Sequence, residues 1–239
     1  VQVSTPTHPG EAHEAKLAGR LNRLRAAVLG ANDGIVSEAG LVIGVAGAST
    51  ARGPLITAGV AGLAAGAVSM ALGEYVSVSS QRDAESDQLA KERQELREDP
   101  AGELNELILL YREKGLSAQT ARTVAEELTA RDALAAHAEV ELHIDPDDLV
   151  DPRGAALASA ISYTLGALIP LLAIVLPPRH WRVAVAVVVV LLALAVTGWA
   201  GARVGGGRTR RAMLRVLVGG SIGLAVTYFV GHLAGAAVD

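Results

Sequence analysis

Apolar residues collect in five long runs, at roughly residues 27–48, 55–78, 155–176, 183–202 and 213–236. Each is near the ~20 residues that a helix needs to cross a hydrocarbon core. The third run, AALASAISYTLGALIPLLAIVL, and the fourth, VAVAVVVVLLALAVTGWAGA, carry no charge. Soluble helices of this length keep a polar face, and these do not. Between the second and third runs the pattern changes to charged helix. No glycine or proline interrupts the chain from Glu74 to Glu98, so span 2 is expected to continue as one long helix. Asp99-Pro100 supplies an N-cap and a first helical position. The next helix runs to about Lys114, where Gly115 ends it. Ser117 can cap a third, running to about His143 before DPDDLVDPRG breaks it.

The pattern therefore predicts an all-α membrane protein. Five transmembrane helices carry a three-helix domain inserted between spans 2 and 3. The expected division is a disordered polar tail at 1–19, spans 1–2 at 20–80, an acidic helical domain at 81–150 and spans 3–5 at 151–239. The first span is not expected to be a signal peptide, because no small-residue cleavage site precedes a soluble domain and further spans follow.

Charge gives the direction. The chain has 25 acidic and 21 basic side chains and no cysteine, which excludes disulfides and thiolate metal sites. The near-balance hides a partition: residues 81–153 hold 19 acidic and 9 basic side chains. A nucleic-acid binder would show the reverse, a basic soluble face. Lys16, Arg20, Arg23 and Arg25 precede span 1, and Arg203, Arg208, Arg210, Arg211 and Arg215 lie between spans 4 and 5. The loops on the other side carry Arg52, and Arg179 with Arg182. The positive-inside rule then places the N-terminus and the acidic domain in the cytoplasm, and the C-terminus outside.

Only three acidic residues lie within spans: Asp33, Glu38 and Glu74. A charge at mid-membrane costs about 2.5–3.5 kcal/mol on insertion scales, so each is a functional candidate. Spans 1 and 2 are antiparallel about a short turn near STARGP. Counting outward from it pairs Asp33 with Glu74, and Glu38 with Met70. Met70, Glu74 and Ser77 share one helix face. Carboxylates beside a thioether suggest a path for a divalent metal, with the sulfur favouring a softer first-row ion such as Fe2+. The carboxylates could also carry protons in exchange. The pairs Gly30/Gly34, Gly40/Gly44 and Gly62/Gly66 allow close helix approach and suggest that spans 1 and 2 form the packed centre. Span 4, rich in valine, reads as lipid-facing.

The acidic domain repeats one device. Glu92 and Glu95 are three apart, as are Glu103 and Glu106 on the next helix, with Glu113 seven further on. His137 and Glu141 are four apart on the third. Each pair projects from one face, the arrangement of carboxylate-bridged metal bundles.

RAAVLGANDGIVSEAGLVIGVAGA, then SMALGEYVSVSSQRD, then Glu-x-x-Glu twice, resemble the vacuolar iron transporter family. The resemblance covers roughly residues 20–236. It implies a homodimer of five-span protomers with a three-helix cytoplasmic metal-binding domain after span 2. It implies exchange of Fe2+, and often Mn2+ or another divalent ion, for protons, moving metal out of the cytosol. A bacterial member would do this at the plasma membrane. By position it puts the membrane path on Asp33, Met70 and Glu74, and the cytoplasmic ligands on Glu92, Glu95, Glu103, Glu106 and Glu141. Two departures stand out. The chain has His137 and Ala138 where members have methionines, and imidazole broadens metal choice and ties affinity to pH. GVAGLAAGA also lacks the carboxylate that some members carry in the outer half of span 2.

The expected function is a transporter of Fe2+, with Mn2+, Zn2+ or Co2+ as further candidates, and without a prosthetic group. Its partners are membrane lipid, metal ions, protons and a second copy of the chain, with no nucleic acid. The alternative is a membrane-anchored metal-binding or sensing module. A transporter for a non-metal solute, with the acidic bundle only a dimerisation device, is a third reading. Gly205-Gly206-Gly207 lacks the P-loop pattern, and no nucleophile–base pair or dinucleotide fingerprint occurs, so an enzyme is not expected.

Overall fold

A computed structural model describes residues 14–205 and 207–238, with side chains from residue 26 onward except at positions 204 and 238. The expected tail lies outside the described residues up to position 13, and the chain is helical from Glu14. Seven α-helices follow: α1 Glu14–Ala48, α2 Arg52–Glu98, α3 Pro100–Glu113, α4 Ala118–His137, α5 Pro152–Val175, α6 Arg182–Val204 and α7 Thr209–Val238. A π-helical turn, Ala138–Leu142, extends α4. No strand occurs among the described residues. Five helices are long and apolar enough to cross a membrane: α1 from Ala26, α2, α5, α6 and α7.

The chain forms two compact units. One is Val76–Pro152; the other joins Lys16–Tyr75 to the residues from Arg153 onward. In the second unit all five spans contribute to one core, with Ile35, Val42 and Ile43 of α1 packed among Leu55, Ile174, Val190, Leu194 and Leu224. The centre is α1 with α5, not α1 with α2: those two spans are the most buried, and α2 and α7 the least. The glycine pairs explain this. A Cβ on Gly30 would come within 3.0 Å of the Ser159 carbonyl, and one on Gly34 would overlap the Tyr163 carbonyl, so α5 lies directly on that face. Gly40 and Gly44 face Thr227 of α7 instead. Span 4 is more buried than α2 or α7, so its valines pack as well as face outward.

Arg179 and Arg182 make different use of their charge from the one expected of loop arginines. Arg179 Nε donates to Thr50 Oγ1 at 2.8 Å, and Arg182 donates to the Thr50 carbonyl at 2.5 Å and to the Pro177 carbonyl at 3.2 Å. They bind the α1–α2 link to the α5–α6 link at the same end of the unit.

In the Val76–Pro152 unit the sequence signals act as read. Asp99 caps α3, accepting from Gly102 N–H at 2.9 Å, with Pro100 in the first turn. Gly115 has φ +96°, a left-handed conformation that suits glycine at the end of α3. Ser117 caps α4 by accepting from Thr120 N–H at 3.2 Å. Leu107 and Ile108 of α3 pack on Ala121, Ala125, Ala136 and Val140. The expected uninterrupted helix to His143 is broken in two ways. Asp132 leaves helical geometry, with φ −161° and ψ 98°, and its Oδ1 accepts from Ala135 N–H at 3.0 Å. It caps a fresh start inside α4. Beyond His137 the turn widens to π, and His143 at φ 55° ends it.

Candidate metal centre

Three helices of the Val76–Pro152 unit bring polar side chains together. The Asp99 corner folds the start of α3 back beside the end of α2, and the end of α4 with its π turn closes the third side. Glu92, buried to 3% exposure, comes from α2, Glu103 from the first turn of α3, His137 from the last of α4 and Glu141 from the π turn. His137 is fully buried. Its Nδ1 lies 3.1 Å from Glu92 Oε1, 3.3 Å from Glu141 Oε2 and 3.8 Å from Glu103 Oε2. One ring nitrogen can donate one hydrogen at most, yet three carboxylates face it. The Glu92 contact lacks hydrogen-bond alignment, and His137 Nε2 has no hydrogen-bond partner.

The electrostatics show an excess of negative charge. Burial pushes the Glu92 carboxyl above its ordinary value; His137 pulls it back, and Glu141, Glu103 and Glu95 push it further up. Burial likewise raises Glu103, with Glu106 adding to the rise and His137 opposing it. One imidazole cannot neutralise this group. A cation can, and Glu92, His137 and Glu141 each offer a ligand atom, all within 4.8 Å of one another. Carboxylate oxygen with imidazole nitrogen, and no sulfur, suits Mn2+, Fe2+, Co2+ or Zn2+.

The candidates read from the sequence divide accordingly. Glu92, Glu103, His137 and Glu141 come together. Glu95 is tied to Lys91 at 2.8 Å and, like Glu106, adds charge at the edge. Glu113 is exposed and lies ten residues, about 15 Å, along α3 from Glu103, so it stands outside the cluster. Asp132, which starts the segment carrying His137 and Glu141, was not singled out; its signal is an aspartate three residues before the N–H it caps, that of Ala135.

In the membrane unit the register of α1 against α2 differs from the one counted out. The link is only residues 49–51, shorter than the STARGP turn taken for the count. Glu38 faces Gly59 and Gly62 rather than Met70: Cβ atoms there would lie 2.9 Å from its Oε1 and 3.0 Å from its Oε2. The Tyr163 hydroxyl donates to Ser37 Oγ at 2.9 Å, and Ser37 donates to the Asp33 carbonyl at 2.7 Å. A Cβ on Gly66 would overlap that same hydroxyl. Asp33 is one turn before Ser37 and Met70 one turn after Gly66, both away from the link, so along the helices Asp33 comes nearer to Met70 than to Glu74. Glu74 falls one further turn along α2. Asp33 is exposed on the single chain, and Met70 and Glu74 are half-buried. Tyr163, the one tyrosine of span 3, is the member of this layer that the sequence reading passed over.

The VIT family's sequence profile matches residues 24–232. The chain belongs to the VIT family. A vacuolar iron transporter of Acanthamoeba castellanii is 44% identical over 230 residues, covering 96% of this chain and 85% of its own. Vacuolar iron transporter homolog 3 of Arabidopsis thaliana is 37% identical over 217 residues, covering 90% and 85%. Vacuolar iron transporter homolog 1 of Oryza sativa is 36% identical over 229 residues, covering 95% and 80%. As a VIT-family chain it is a multi-pass membrane transporter and not an enzyme. Both the Glu92–His137 cluster and the Asp33–Met70 layer lie inside the matched region.

Proposed function

We propose that the protein carries Fe2+, and Mn2+ with it, out of the cytosol in exchange for protons. The observation that carries this reading is the buried His137 ring, faced by three carboxylates on one nitrogen and by nothing on the other. The acidic domain is a cytosolic collector. Glu92, Glu103, His137 and Glu141 bind the ion, while Glu95 and Glu106 raise its local concentration. Glu74 then receives it, and Asp33 with Met70 forms the next layer. The Met70 thioether at that layer favours Fe2+ over harder ions.

Two copies pair across the α1/α2 face. The exposure of Asp33 and the half-burial of Met70 and Glu74 on a single chain support this, since a carboxylate facing lipid is costly. The basic segments before span 1 and between spans 4 and 5 support a cytosolic acidic domain and an outer C-terminus.

A second reading is an anchored metal-binding module. It draws on the fact that Glu92, His137 and Glu141 all belong to the Val76–Pro152 unit. Dye-quench uptake of Fe2+ into proteoliposomes, under reducing conditions and an imposed pH gradient, separates the two. Gradient-dependent uptake above protein-free liposomes supports the transporter. Metal binding by the protein with no uptake supports the module.

A further inference from the structure

Glu38 is the buried carboxylate that the path described above does not use. It is 1% exposed, and neither oxygen has a hydrogen-bond partner. No basic residue among the described ion pairs reaches it. Its head fits a socket on the bare surface of α2. Gly59 and Gly62 leave the space, and Leu41, Val42 and Leu171 close the sides. Any side chain at Gly62 that kept its Cβ in place would press on Oε2. α2 brings no carboxylate of its own between residues 53 and 73. The titratable group facing this region from α5 is the Tyr163 hydroxyl; on α1 it is Asp33.

An anion with no donor and no counter-ion is not stable in an apolar socket. It must be accompanied by positive charge. The position says which charge is at hand. Glu38 lies five residues beyond Asp33 toward the α1–α2 link, about 7.5 Å farther along the helix.

Resting on the transport reading, we infer that Glu38 is a cation-exchange site on the outer side of the Asp33–Met70 layer, accepting in turn the divalent metal ion or the proton exchanged for it. The glycine socket is what makes the site: it lets α2 cover the carboxylate without offering it a competing donor. The shared chemistry is a single carboxylate that releases one cation as it takes another.

The test is labelling of the purified full-length protein in detergent with dicyclohexylcarbodiimide, which reacts with membrane-buried carboxylic acids, followed by peptide mass spectrometry. Glu38→Gln is the specificity control, since it keeps shape and removes the acid. Labelling of Glu38 that falls about tenfold when Mn2+ is added identifies metal as an occupant. Labelling that falls as pH rises but ignores Mn2+ shows a proton site alone and overturns the exchange of metal for proton at Glu38. No labelling at Glu38, or labelling indifferent to both, overturns the inference. Glu38→Gln is also expected to lower gradient-driven Fe2+ uptake about tenfold while Mn2+ binding at the Glu92–His137 cluster is unchanged. Uptake equal to wild type would likewise overturn it. Absence of uptake by the wild type would instead fail the transport reading, and the labelling result would still decide whether Glu38 holds a cation.

Discussion

His137 Nδ1 lies 3.1 Å from Glu92 Oε1, and both side chains are shut away from solvent. The contact joins the last residue of α4 to the end of α2, so the fold of the Val76–Pro152 unit and the proposed metal centre depend on one geometry. Glu92→Gln is expected to weaken Mn2+ binding by about 10- to 100-fold, because it removes a charged ligand and leaves the imidazole facing an amide. Glu113→Gln, at the far end of α3, is expected to bind as wild type. Titration of the full-length protein followed by Mn2+ electron paramagnetic resonance checks both.

His137→Met replaces a borderline nitrogen by a soft sulfur. It is expected to lower affinity for Mn2+ more than for Fe2+, shifting their ratio by about tenfold toward iron. It is also expected to flatten the pH dependence of binding, since the thioether has no proton to lose. Competition between the two ions, measured at two pH values, reads both effects.

The raised carboxyls set a pH dependence with a defined sign. Glu92 and Glu103 both stand above their ordinary 4.5 in the folded protein. Between 4.5 and their raised values the folded metal-free state holds more protons than the unfolded one, so stability falls as pH rises through that window. Metal takes the place of those protons, so binding strengthens over the same window. Thermal melts of the full-length protein in detergent should show metal-free melting falling with pH, and the stabilisation by Mn2+ growing.

Two substitutions probe the scaffold. Gly34→Ala drives a methyl into the Tyr163 carbonyl, which is backbone and cannot swing away, so a loss of about 1–3 kcal/mol is expected. Asp132→Ala removes the mid-helix cap and is expected to cost about 1 kcal/mol. If Asp132 also aims His137, the same variant weakens Mn2+ binding. Unfolding in graded denaturing detergent, beside metal titration, separates the two effects.

The ends of the helices were legible because their signals are local. Asp99, Pro100, Gly115 and Ser117 act within a few residues of themselves, and unbroken hydropathy marks each span. Register was not legible. Counting from the link put Glu38 beside Met70, whereas it meets Gly59 and Gly62. A glycine tells the reader that something approaches closely but not what, so the sequence does not show that Gly30 and Gly34 meet α5. The break at Asp132 stayed hidden because aspartate is ordinary on an exposed helix face. In the proposed centre, four of the candidate residues come together because short corners fix three helix ends. Glu113 stands apart because it lies ten residues, nearly three turns, along α3 from Glu103.

The claim that metal crosses through the Asp33–Met70 layer is tested most directly by gradient-driven Fe2+ uptake in proteoliposomes containing Asp33→Ala beside wild type, with Mn2+ binding measured on the same preparations. The account expects uptake to fall at least about tenfold in the variant while binding at the Glu92–His137 cluster stays at the wild-type level. Uptake by Asp33→Ala at the wild-type rate would contradict it.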